Sequence, residues 1–181
     1  MARKESITMD VILDAAFEMV RDEGVESLTA RKLAAKAGCS TQPIFRIYQN
    51  MDELAGDLFE RVIAFFDSYY AAYPKSDTYA FVDLGMAYIE FAVKENKLFQ
   101  LLFLTQNRQG KSMYELLNGK SGAVIREIAR AKAAGCREPG DLFMKMWIFI
   151  HGAACMAITG DYDLNVEQTR ALLEETYRVF V

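Results

Sequence analysis

Apolar positions recur every three to four residues along most of this chain, and no run alternates long enough to read as a strand. The first stripe, Ile12, Ala15, Ala16, Met19 and Val20, predicts a helix over 8–23 that Gly24 stops. Thr29 is placed to cap a short helix over 30–37, ending at Gly38. Ser40 is placed to cap another over 41–48, where Pro43 falls in the first turn and its missing N–H costs nothing. Asn50 with Glu53 reads as a capping box for a longer helix that ends near Tyr73 and Pro74. Asp77 is placed to start the next, with Phe81, Leu84, Gly85, Tyr88 and Phe91 or Ala92 on one face. A short apolar helix over 97–104 leads into the loop "TQNRQGKS". Residues 113–134 predict a helix broken near "NGKSG", and 142–159 one that is apolar almost all round. Asn165 with Gln168 caps a last helix carrying Val166, Leu173, Tyr177 and Phe180 on one side. The pattern therefore predicts an all-α chain of about nine helices, with three short ones in the first fifty residues and no linker after them.

Composition narrows the function classes. At 52% apolar the chain can fill a core, which excludes global disorder. A net charge of −4 means that any affinity for nucleic acid must come from local charge. The three cysteines, Cys39, Cys136 and Cys155, have no metal-ligand spacing and read as free thiols in a reducing compartment, with Cys39 an apolar plug after a turn. "MARKESITMDV" has no apolar run behind its charged start, so no secretory signal is expected. The apolar run 142–158 is interrupted by Lys145 and His151 and followed by Gly-Asp, which predicts a buried helix rather than a membrane span. The expectation is a cytoplasmic protein with no membrane partner.

Charge is unevenly placed. All seven acids of the first fifty residues precede Thr29, whereas 29–50 holds Arg31, Lys32, Lys36 and Arg46 and no acid. This basic segment coincides with "TARKLAAKAGCSTQPIFRIY", which has the form of a helix–turn–helix: small Ala34, Ala35 and Ala37 for close packing, and Gly38 for the turn. Ser40, Thr41 and Gln42 then open the second helix, where Gln can pair with adenine and Thr can meet a thymine methyl or a phosphate. Arg46, one turn on, can take a phosphate or a guanine. Arg3 and Lys4 could add an N-terminal arm.

Taken in order and register, "ILDAAFEMVRDEG", "SLTARKLAAKAG" and "STQPIFRIYQNMDEL" resemble the N-terminal domain of the TetR (tetracycline-repressor-like) transcriptional regulators. "KMWIFIHGAACMAITG" is similar to the Trp-x3-His-Gly signature of one subset of their C-terminal domains, here Trp147, His151 and Gly152. The resemblance implies a helix–turn–helix DNA-binding domain over 1–52 and a helical ligand-binding and dimerisation domain over 53–181. It also implies a homodimer through the last two helices, a pseudo-palindromic double-stranded DNA operator and a small-molecule effector. Three positions depart from the family pattern: Phe45 where a phosphate-binding Tyr is common, Ile47 where a basic residue or His is common, and Met51 where a Lys is common. The DNA-binding residues expected are Thr29, Arg31, Ser40, Thr41, Gln42, Phe45, Arg46, Tyr48 and Asn50. With fewer charged contacts, binding should be specific and strongly salt-sensitive.

The rest of the chain is rich in aromatics and holds nine Met, a composition suited to an adaptable apolar pocket. Phe66, Tyr70, Tyr88, Phe103, Trp147 and His151 are the effector-site candidates, although each taken singly also reads as core. His151 has no second His or paired Cys at ligand spacing, so neither a metal nor a cofactor is expected. No nucleophile–base pair or phosphate loop argues for an enzyme. The expected function is a ligand-responsive regulator, a repressor released by a small apolar or aromatic molecule. The alternative is a ligand-binding helical module that has lost its operator.

Overall fold

The computed structural model describes residues 7–76, 78–106 and 108–181. Within them lie ten α-helices and no strand. They divide into two compact units: the described residues up to Ile63 with Lys97–Gly110, and Ala64–Asn96 with Lys111–Val181.

In the first unit, α1 (Met9–Glu23) starts where the Thr8 hydroxyl accepts a hydrogen bond from the Val11 N–H. It stops at Gly24, whose φ of +88° lets its N–H turn back to the Val20 carbonyl. After a short 3-10 turn, α2 (Ala30–Lys36) is capped by Thr29, whose hydroxyl accepts from the Lys32 N–H. α3 (Thr41–Ile47) follows; Ser40 holds its N-cap position, but the side chain makes no capping bond. Ile12, Ala16, Met19, Val20, Leu33, Ala34 and Ile44 are buried here. Of the three alanines expected to pack closely, Ala34 does so and Ala35 is exposed.

α4 (Met51–Ala72) is one continuous helix, with residues 51–63 in the first unit and 64–72 in the second. Its start is bonded much as expected, with a shift of one residue. Asn50 accepts from the Glu53 N–H at 2.9 Å, but the Glu53 carboxylate reaches back to the Gln49 N–H at 2.6 Å. The apolar stretch expected as one helix over 97–104 divides into α6 (Asn96–Phe99) and a π-helical turn over Gln100–Leu104.

The second unit is organised around α5 (Val82–Lys94). The expected one-sided face is a correction: every residue from Val82 to Ile89 is buried, because α9 (Pro139–Thr159) and α10 (Val166–Phe180) both pack on α5. Gly85 permits this approach, since a Cβ there would lie 2.7 Å from Ile150 Cδ1. α7 (Met113–Asn118) and α8 (Ala123–Ala133) complete the unit, separated at the expected break. Asp77, the expected start of α5, lies outside the described residues, as do Arg3 and Lys4. The helix begins instead after Phe81, a left-handed residue at φ +65° whose N–H donates to the buried Glu127 carboxylate at 2.7 Å. α9 begins three residues earlier than expected because Pro139 suits a first turn. Val166, placed on one side of α10 with Leu173 and Tyr177, is 63% exposed, while those two are buried. α9 is the one helix among the described residues long and apolar enough to cross a membrane, and it packs on α5, α8 and α10.

Candidate nucleic-acid interface and effector site

The turn between α2 and α3 is built by Gly38, at φ +68°. The Gly38 N–H donates to the Ala35 carbonyl and the Cys39 N–H to the Ala34 carbonyl, closing the end of α2. Ile44 is fully buried, which fixes the rotation of α3 and turns Thr41, Gln42, Phe45 and Arg46 outward. Ser40, Gln42, Pro43, Phe45 and Arg46 border one open depression on this surface. Thr29, Arg31 and Asn50 are exposed as well, although the oxygens of Thr29 and Asn50 are engaged in caps.

Tyr48 is a correction to the expected donor set. It is 1% exposed, and its hydroxyl is enclosed without a hydrogen bond of normal geometry. Burial, then the neighbouring Asp57 carboxylate, pushes this phenol up to about 12. The last residue of the reading-head segment is therefore core.

The four basic residues are not equivalent. Lys32 pairs with Glu23 and Lys36 with Asp22, each at 3.3 Å and solvent-exposed. Arg31 and Arg46 make no ion pair among the described residues. The uneven charge along the sequence was visible, but the pairing was not. Its signal was the acidic end of the first helix, Asp22-Glu23, which α2 meets in space.

In the second unit Phe66, Tyr70, Tyr88, Trp147 and His151 belong to α4, α5 and α9. Tyr88 is the centre: Phe66 meets its ring edge-on at 6.0 Å and Trp147 at 4.9 Å, and its hydroxyl lies 2.9 Å from His151 Nδ1. Trp147 also lies 5.2 Å from the His151 ring, and Cys155 Sγ lies 3.7 Å from Nε2. Tyr70 stands apart from these ring contacts. Its phenol is raised by burial and then by Glu127, toward which the hydroxyl points at 3.3 Å. Phe103 lies in the first unit, where it packs on Phe99 at 5.1 Å.

The cavity among Phe81, Leu84, Tyr88, Phe143, Trp147 and Ile150 measures about 10 Å³, the lower limit for one water. Phe66 and Tyr88 are buried core, whereas Trp147 and His151 keep part of their surface exposed. The same unit holds two buried carboxylates that sequence reasoning missed. Glu127 accepts from Arg130, Tyr70 and the Phe81 N–H; Asp83 accepts from Arg170 and from Ser76. Glu127 has a local partner in Arg130, but the partners that show both carboxylates to be buried, Tyr70 and Phe81 for Glu127 and Arg170 for Asp83, lie 46 to 87 residues away. Among the described residues no three His, Cys, Asp or Glu gather as a metal site.

A short helix–turn–helix with an exposed second helix, joined to a larger helical body, defines a DNA-binding regulator of the all-helical class. Comparison gives the family. Residues 12–58 match the profile of bacterial regulatory proteins of the tetR family, and residues 81–180 match the tetracyclin repressor-like C-terminal domain. The chain belongs to the TetR family of transcriptional regulators, whose general role is ligand-responsive, DNA-binding regulation. These are regulators and typically not enzymes.

Solved structures share the fold. A protein of unknown function from Rhodococcus sp. RHA1 superposes with a TM-score of 0.75 at 21% identity, over 99% of this chain and 98% of that one. A TetR-family transcriptional regulator from Vibrio parahaemolyticus gives 0.68 at 20% identity, over 94% and 96%. A TetR-like regulator from Rhodococcus sp. RHA1 gives 0.65 at 16%, over 97% and 96%. A search of curated proteins found no match.

Proposed function

We propose that the chain is a cytoplasmic homodimeric repressor, released from a pseudo-palindromic operator by a small apolar or aromatic effector. The observation that carries the DNA half is the outward face of α3, where Gln42 and Arg46 stand exposed and Arg46 has no ion pair among the described residues. Residues 1–52 form the DNA-binding domain in this reading, with Thr29, Arg31, Ser40, Thr41, Gln42, Phe45, Arg46 and Asn50 as contacts.

Residues 53–181 bind the effector and dimerise. Support for dimerisation comes from α9, where Met144, Ile148 and Met156 are 52%, 66% and 47% exposed and share a four-residue spacing with the exposed Gly152. A second copy packing α9 and α10 against this stripe would bury it. The effector enters beside the partly exposed Trp147 and His151 and widens the cavity at Tyr88 and Trp147, which at present holds at most one water. Phe66 and Tyr70 lie on α4, the helix whose first turn follows α3 in the chain, so the helix that carries them is continuous in sequence with the DNA-binding segment. Two recognition helices need roughly 34–36 Å between them to meet successive major grooves, so a small shift abolishes joint engagement. The effector acts only by binding the two states unequally.

A mobility-shift assay at low salt on the promoter region beside the chain's own gene tests the proposal. A retarded band that competitor DNA of random sequence does not remove supports it. No shift would instead favour a ligand-binding module without an operator.

A further inference from the structure

Among the DNA contacts proposed above, Phe45 is the one large apolar side chain. All twelve phenylalanines of the chain lie among the described residues, and Phe45 alone falls in the exposed class, at 49%. It stands on α3 with Thr41 and Arg46, beside the depression that Gln42 borders. Burial of Ile44 holds the helix in this rotation, so the ring is presented by the fold and is not a displaced core residue. A phenyl ring has no donor for a phosphate oxygen and no acceptor for a base amino group. Among the groups on the major-groove floor, the thymine 5-methyl is the one an apolar side chain can desolvate.

We propose that Phe45 is a specificity-determining residue that reads the methyl group of a thymine in each operator half-site. This inference rests on the DNA-binding reading of α3 given above. It adds the identity of one base and the chemistry that selects it.

The test replaces thymine by deoxyuridine, one position at a time, in the tightest duplex recovered from a randomised pool. Pairing with adenine is unchanged and only the methyl is lost. Fluorescence anisotropy with the full chain should show one position per half-site where binding weakens about fourfold, corresponding to ~0.8 kcal/mol for one buried methyl at 1.4 kcal/mol per tenfold. Phe45→Ala should bind thymine and deoxyuridine duplexes equally at that position, while Phe45→Leu keeps part of the preference. Thermal unfolding of Phe45→Ala should match the parent chain, because the ring is exposed. If the parent chain binds the selected duplex but no thymine methyl matters, or if Phe45→Ala keeps the preference, the thymine assignment is overturned while DNA binding stands. If no duplex is selected, the DNA-binding reading itself falls and takes the assignment with it.

Discussion

Replacing Asp22 by Asn and Glu23 by Gln should steepen the salt dependence of operator binding. The two carboxylates occupy Lys36 and Lys32 at 3.3 Å, so among the described residues Arg31 and Arg46 are the cations of α2 and α3 without an ion pair. Exposed pairs of this kind are worth about 0–1 kcal/mol, enough to keep the lysines engaged and too little to lock them. If the two arginines of each subunit meet phosphates, a dimer neutralises four, for a slope of about −3.6 in log K against log salt. Binding would then fall about 150-fold between about 50 and 200 mM salt. Freeing both lysines raises the count to eight and the slope toward about −7.2, a loss of about 20,000-fold over the same range. Arg46→Ala should move the other way, to about −1.8, because two contacts vanish per dimer. Anisotropy titrations of one labelled operator across that range measure all three slopes. A double variant with the parent slope would refute the idea that the acids mask the lysines. An unchanged slope in Arg46→Ala would refute the phosphate contact at Arg46.

Other expectations follow from the packing. Gly85→Ala should destabilise the fold by about 1–2 kcal/mol, as overpacking against Ile150 outweighs the helix-propensity gain. Adding Ile150→Val, which removes the clashing Cδ1, should recover part of that in urea unfolding. Tyr48→Phe should change stability by less than about 1 kcal/mol near neutral pH, because the enclosed hydroxyl has no hydrogen bond of normal geometry and only Asp57 beside it. The folded phenol, at about 12, lies above its ordinary 10.0, so its contribution is complete below pH 10.0 and is lost as pH rises toward 12. Tyr48→Phe should therefore lessen alkaline unfolding in that window, read by circular dichroism. Ile148→Glu should convert the dimer to a folded monomer in analytical ultracentrifugation, since Ile148 is 66% exposed on the α9 stripe. Trp147 is the single tryptophan and touches both Tyr88 and His151, so effector binding should shift its emission. An effector that releases DNA while leaving that emission unchanged would place the site elsewhere.

Local signals were legible in the sequence and long-range ones were not. Thr29 and the Asn165–Gln168 box cap their helices as their residue types dictate, because such a cap is decided within four residues, whereas Ser40 takes the N-cap position of α3 without making the bond. The turn at Gly38 and the outward face of α3 followed from the same local chemistry. Hydrophobic periodicity located α5, yet it could not show that α9 and α10 bury both sides of it, or that Glu127 fixes its left-handed start. Tyr48 was misplaced for a related reason: a phenol reads as an interface donor until the packing around it is known. The aromatic cluster shows the limit from the other side. Its residues were identifiable, while its closure around about 10 Å³ depends on how three helices converge.

The central claim is that two copies of this chain present their α3 helices to successive major grooves of one operator. Footprinting of the selected duplex, combined with the stoichiometry of the complex, tests it most directly. Two chains should bind per duplex, with protection in two major-groove segments about one helical turn apart and loss of both segments in Gln42→Ala/Arg46→Ala. A single chain per duplex, or a footprint that survives the double substitution, would contradict it.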